Sequence, residues 1–155
     1  MDKKVSDSMI EQVHDIRPQH LNGAGRLFGG ILMGWIDEVA GLAAIRHSNS
    51  YVVTASVDNL CFLRGVSQNE IVVLISKLTY VGRTSMEVRV DTYVEALDGT
   101  RKPVNRAYVT EIAVDENGKP KEVPGLILES DSEKAEWEAG KKRSELRKQR
   151  SKEGF

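Results

Sequence analysis

The stretch from Leu27 to Ile45, LFGGILMGWIDEVAGLAAI, constrains this chain more than any other: nineteen residues carry only two charges, on the adjacent acids Asp37 and Glu38. A membrane span is the first reading to test. One aspartate at the centre of a span costs ~2.5–3.5 kcal/mol on insertion scales, and here two acids stand side by side. Gly29, Gly30, Gly34 and Gly41 weaken an isolated helix but permit close approach of other backbone. The sequence therefore predicts a helix over 30–46, apolar nearly all round and buried in a soluble domain. Asp37 then needs partners or a task, because an unpaired carboxylate in apolar surroundings is unstable.

Beyond the helix the pattern changes to alternation. Segments 51–63, 70–81, 85–96 and 104–114 are rich in β-branched residues, and residues 8–17 supply a further strand ahead of the helix. The clearest is 85–96, where Met86, Val88, Val90, Thr92 and Val94 point one way and Glu87, Arg89, Asp91, Tyr93 and Glu95 the other. Gly82-Arg83, Asp98-Gly99 and Asn117-Gly118 mark turns too short for parallel crossovers, so the strands pair antiparallel. One apolar helix and about five one-faced strands are satisfied together when a curved antiparallel sheet wraps the helix, an α+β arrangement. No second helix is expected on the outer face, which leaves Tyr93, Tyr108 and a strand edge to meet another copy of the chain.

Composition narrows the function classes. The 155 residues carry a net charge of −1, with one cysteine (Cys61) and three dispersed histidines (His14, His20, His47). That excludes an internal disulfide and gives no metal-ligand spacing, so no metal and no cofactor are expected. With no targeting segment evident, the cytoplasm is the expected compartment. Residues 1–128 read as one domain and 129–155 as a charged extension with five acids over 129–138 and seven basic residues over 141–152. Glu138 and Lys142 suit an exposed helix interrupted at Gly140, although a solvated or frayed tail is the simpler reading. The sharper alternative has Lys141, Lys142, Arg143 or Arg147 reaching ligand phosphates. The acidic block beside the basic one cancels its field, so no nucleic-acid partner is expected.

The chemistry-bearing stretch runs from His20 to Asp37. Paired glycines at a helix start leave unpaired N–H groups open to a ligand, at the positive end of the dipole, where they polarise a carbonyl. Asp37 lies seven residues beyond Gly30, about two turns of roughly 3.6 residues, hence on the same side and ~10 Å along the axis. The bland alternatives remain open at this level. Glycine pairs begin many helices, a buried aspartate can meet an arginine, and Asn22 beside Gly23 and Gly25 can be a turn residue.

Asn22-x-x-Gly25-x-x-Phe28-Gly29-Gly30, followed by Trp35-Ile-Asp37-Glu-Val-Ala40, resembles the signature of hotdog-fold acyl-CoA thioesterases, the bacterial short- and medium-chain and brain-type group. Val53–Asp58, Phe62–Arg64, Gly82–Val88, Val114–Pro120 and Val123-Pro124 agree in order, so the resemblance covers about residues 10–126. It implies a hotdog fold and hydrolysis of acyl-CoA to fatty acid and CoA, in lipid metabolism. It also implies Asn22 and Asp37 as a catalytic pair meeting across a subunit interface, with Asp37 as general base or nucleophile. Asn22 would orient water or carbonyl, and the Gly29–Gly30 backbone would polarise the carbonyl. Gly82, Arg83, Thr84 and Ser85 match a segment that holds pantetheine and phosphate in relatives, and Arg64 a position near the CoA path. Gly65 departs from the proline that often follows that arginine. The group further implies a homohexamer built as a trimer of dimers.

Two other readings stand beside this one: a thioesterase for aryl-CoA or acyl-carrier-protein substrates, and a non-catalytic acyl-CoA binder, against which the intact Asn22 and Asp37 speak. Cys61, within Leu60-Cys-Phe-Leu63, reads as a small core residue rather than a nucleophile. Glu38, roughly 100° around the helix from Asp37, reads as structural. His20 reads as a loop residue, and His47 as a cation favoured by the helix end.

Overall fold

The computed structural model describes residues 1–155. Its elements follow in order as β1 (Lys3–Lys4), α1 (Val5–Ser8), β2 (Ile10–Asp15), a 3-10 turn (Pro18–His20) and α2 (Gly29–Ser48). Then come β3 (Tyr51–Asp58), β4 (Ile71–Val81), β5 (Ser85–Glu95), β6 (Arg101–Val114), β7 (Leu126–Ile127) and α3 (Asp131–Glu153). β2, β4, β5, β6 and β3 lie side by side in that order in one wholly antiparallel sheet. β1 and β7 form a small parallel pair apart from it.

α2 is the centre of the core. Its Leu32, Ile36, Val39, Ala40, Ala43 and Ala44 pack on Leu74, Leu78, Val88, Val90 and Val109 of the sheet, all at 1% exposure or less. Small alanines in mid-helix bring the sheet close enough for Ser76 Oγ to donate to the Val39 carbonyl at 2.9 Å. Asn49, in the left-handed region at φ 55°, ends the helix. No helix is long and apolar enough to cross a membrane.

Three expectations change here. First, α2 is not buried all round: Met33, Gly34, Asp37, Glu38, Leu42 and Ile45 form an exposed face in the single chain. Second, the strand expected over 51–63 ends at Asp58, and Cys61 is exposed in the irregular segment that follows, not in the core. Third, a second helix does cover the sheet's outer face. Gly140 does not interrupt α3 but is its buried contact, where an added Cβ would lie 2.7 Å from the Tyr80 Cβ and 2.8 Å from Glu87 Oε1. Trp137 packs on Tyr80 at 4.6 Å between ring centroids, and the Arg143 guanidinium lies 3.6 Å above the Tyr108 ring. Tyr108 thus meets its own chain instead of another copy.

The reason α3 docks lies in the polar row that alternation placed on the outer face of β5. Glu87 is buried and binds Arg143 through two bonds of 2.8 and 3.0 Å, with the Thr79 hydroxyl donating at 2.6 Å. Arg89 joins Asp91 and Glu136, while Asp58 binds Arg147 and Arg150. Arginines that read as candidate phosphate ligands are therefore committed to carboxylates of the fold.

Candidate active site

Asn22 sits in the loop before α2, and the loop is built around it. Its Oδ1 accepts from the backbone N–H groups of Ala24 (2.9 Å) and Arg26 (3.1 Å). Those two donors fix which end of the amide is oxygen. The side-chain carbonyl is therefore spent on the turn, and only the Nδ2 donors face outward. Gly25, at φ 75°, supplies the left-handed position that lets the loop return.

The N-terminus of α2 follows at Gly29 and Gly30, whose backbone N–H groups have no acceptor in the chain. A Cβ on Gly30 would lie 2.7 Å from the Phe28 ring, so this position is closed to larger residues in the present geometry. Gly29 borders a cavity of about 370 Å³ lined by Leu27, Leu32, Phe62, Arg64 and Val66 among others. Arg64 stands at its wall and also borders a second cavity of about 240 Å³ with Glu70 and Lys102. His20 meets Trp35 edge-on at 5.2 Å, while His14 stacks on Trp35 at 3.8 Å. His47 lies inside α2, not beyond its end. Burial lowers its pKa below the usual imidazole value and outweighs its contact with the Pro124 carbonyl, so it serves the core as a neutral ring.

Asp37 lies on the exposed face of α2, and the Thr54 hydroxyl of β3 donates to its Oδ1 at 2.6 Å. The same hydroxyl lies 3.1 and 3.2 Å from the two carboxylate oxygens of Glu111 on β6. A register shift between Thr54 and Ser56 interrupts the β3–β6 ladder beside this contact, a device that re-aims side chains. Glu111 is fully buried and its pKa is pushed up to about 7. Burial is the main cause; the Thr54 hydrogen bond opposes it, and the nearby Asp37 charge adds to it. Sequence reading missed both Thr54 and Glu111. The available signal was a glutamate at an inward position of the alternating Val109-Thr-Glu-Ile-Ala113.

The Gly82–Ser85 turn joins β4 to β5 and is tight: a Cβ at Gly82 would lie 2.8 Å from Ser85 Oγ in its present rotamer. The Arg83 and Thr84 carbonyls accept from Val123 and Ala113, and Arg83 lies 3.7 Å from Glu122 in an exposed pair. Ser85 pairs with Ile112 and Met86 with Glu111, so the turn lies at the carboxylate end of the sheet. The candidate residues consequently form two groups within one chain. Asn22, Gly29, Gly30 and Arg64 lie toward the Val104 end of β6, and Asp37 with the 82–85 turn lies toward Glu111. Seven residues of β6 separate those ends, about 23 Å at ~3.3 Å per residue. No hydrogen bond joins Asn22 to Asp37 within the chain.

A five-stranded antiparallel sheet curled about one central helix, with an acid on that helix and open N–H groups at its start, defines the hotdog class of thioesterases. The thioesterase superfamily model matches residues 24–97. An uncharacterised acyl-CoA thioester hydrolase of Bacillus subtilis is 38% identical over 128 residues, covering 82% of this chain and 74% of that one. An acyl-CoA hydrolase of Staphylococcus aureus, solved with butyryl-CoA and CoA, superposes with a TM-score of 0.93 at 35% identity, over 99% of this chain and 94% of that one. A hexameric acyl-CoA thioesterase superposes at 0.92 with 38% identity, covering 97% of each chain. This chain belongs to the acyl-CoA thioester hydrolase family of that superfamily.

Proposed function

We propose that the protein hydrolyses the thioester of acyl-CoA, releasing a fatty acid and CoA. The observation that carries this reading is the Asp37 carboxylate, exposed on α2 and oriented by the Thr54 hydroxyl at 2.6 Å. An acid held this way either removes a proton from water as it attacks the thioester carbon or attacks that carbon itself. The Gly29 and Gly30 N–H groups stabilise the oxyanion that forms. Asn22 contributes an Nδ2 donor, which suits a carbonyl oxygen or the oxygen of the attacking water. The apolar cavity beside Gly29 takes acyl or pantetheine carbon, with Arg64 at its wall, and the 82–85 turn provides backbone and Arg83 for the CoA moiety. Thiol release from acetyl-, butyryl-, octanoyl-, palmitoyl- and phenylacetyl-CoA tests the reading; no release from any of the five defeats it.

The state of Asn22 supplies a cleaner variant than alanine. Asn22→Asp keeps an oxygen for the Ala24 and Arg26 donors but removes the Nδ2 donors. Turnover should fall about 10²- to 10³-fold with the thermal midpoint nearly unchanged, by analogy with loss of one oriented donor. Unchanged turnover would leave Asn22 as a turn residue only.

Each site draws on two copies of the chain in this proposal. β3 is an edge strand with Tyr51, Val53 and Val57 exposed, continuous with the bare apolar residues Met33, Leu42 and Ile45 of α2. An edge of this kind invites pairing with a second copy, which would bring Asp37 of one protomer toward Asn22 and Gly29 of its partner. Dimers then assemble into hexamers like those of the relatives. Co-assembly of equal amounts of the Asn22→Asp and Asp37→Ala chains should restore about a quarter of wild-type turnover, because half the dimers are mixed and each holds one intact site. Absence of any recovery in assembled mixed oligomers would place each site within one chain. An exposed, unpaired Cys61 suits a reducing compartment, in keeping with the cytoplasm.

A further inference from the structure

The two fully buried glutamates of the sheet have opposite surroundings. Glu87 faces α3 and is matched by Arg143 and Arg147. Glu111 faces α2, no cation pairs with it, and the only hydrogen-bond contact of its carboxyl group is the Thr54 hydroxyl. The charged group bearing on it is another acid, Asp37. Its neighbours on the flanking strands, Thr54 on β3 and Met86 on β5, do not titrate.

Hydrogen counting then decides the arrangement. A hydroxyl has one hydrogen and can accept through its lone pairs. Thr54 Oγ1 stands within hydrogen-bond distance of Asp37 Oδ1 at 2.6 Å and of both Glu111 oxygens at 3.1 and 3.2 Å. Were both acids ionised, two anions would compete for one hydrogen, and a lone pair of Thr54 would face a carboxylate. If Glu111 is neutral, every group is satisfied: Glu111 donates to Thr54, and Thr54 donates to Asp37. The shortest contact is the one to Asp37, as a charge-assisted bond in such a chain requires.

We infer that Glu111 is a positioning residue that works as a neutral carboxylic acid, directing the Thr54 hydrogen onto Asp37 and so setting the orientation of the acid that acts on the thioester. This rests on the role given to Asp37 above. Burial without a cation and the repulsion of Asp37 both favour the neutral form, in line with the rise of its pKa to about 7. The donor is present below that pH and is lost as pH rises through it, so this contribution to kcat should fall on the alkaline side.

The test is a pH profile of kcat and KM with butyryl-CoA for wild type, E111Q, E111L and T54V, each verified for fold and oligomeric mass. E111Q keeps a donor that cannot ionise. It should retain most of the wild-type turnover near pH 6 and lack the fall through about pH 7. E111L, with no donor, should lose about 10-fold or more in kcat at every pH, with KM little changed. In the T54V background, E111Q should alter neither kcat nor the profile, because the hydroxyl that transmits the effect is absent. An E111Q profile that keeps the wild-type fall, an E111Q as slow as E111L, or an E111Q effect surviving in T54V would each overturn the inference. If E111L does not fold, the E111Q profile and its T54V double variant decide the matter alone. Turnover retained by Asp37→Ala would instead defeat the reading of the site itself, so the two failures are separable.

Discussion

Asp37→Ala is expected to lower kcat for acyl-CoA hydrolysis by roughly 10²- to 10⁴-fold, the range for loss of a positioned acid or base. The fold should survive. Asp37 lies on the exposed face of α2, and alanine is the best helix former, so deleting the carboxylate removes one surface hydrogen bond from Thr54 and little else. The released Thr54 hydroxyl still has Glu111 within 3.1 Å, which limits the local cost. Thermal midpoint and oligomeric mass should therefore stay close to wild type while turnover collapses. Thiol release measured beside both controls checks this, and near-normal turnover in an assembled variant would remove Asp37 from the mechanism. Asp37→Asn refines the result. It preserves shape but can neither accept a proton nor attack the thioester, and it should be as inactive as alanine.

Arg143→Ala should have the largest effect on stability, lowering the unfolding free energy by about 3–5 kcal/mol, as breaking a buried pair from one side does. Glu87 is the reason. Its side chain is 1% exposed, and Arg143 supplies two of its bonds, so truncation strands a carboxylate beneath α3. Loss of the guanidinium from the Tyr108 face adds to the cost. Arg147, 3.8 Å from Glu87, remains as a weaker partner and draws the value toward the lower end. Replacing both members, Glu87→Met with Arg143→Met, should be less damaging than Arg143→Ala, since no charge is then left unpaired. Denaturant midpoints at a fixed subunit concentration compare the three chains. A loss below 1 kcal/mol in Arg143→Ala would mean that Glu87 finds water or another partner.

Much of the fold was legible because periodicity is local information. The 3.6-residue period failed for α2, which is apolar on most sides, but the length of the apolar run still indicated a helix despite its glycines, and α2 runs Gly29–Ser48. The two-residue period of 85–96 named the correct faces: Val88 and Val90 meet α2, while Glu87 and Arg89 meet α3. The docking of the charged tail is not legible for a related reason. Its sequence is polar all round, which reads as solvated, yet its partners are the polar outer row of β5. Polar-on-polar docking leaves no hydrophobic period to detect, and only Trp137 and the buried Gly140 hinted at contact.

The Asn22–Asp37 segment shows the same division at the site. Sequence by itself determined that a helix with an open, glycine-lined start carries an acid two turns along, and the ordered motifs named the family. Tertiary structure alone decided that Asn22 spends its carbonyl on its own loop and that Asp37 lies exposed instead of buried. It also decided that Asp37 belongs to a set with Thr54 and Glu111, residues 17 and 74 positions away along the chain. Which strand stands beside which, and in what register, is settled by packing across the whole sheet. Whether a carboxyl is charged depends on the groups that packing places around it.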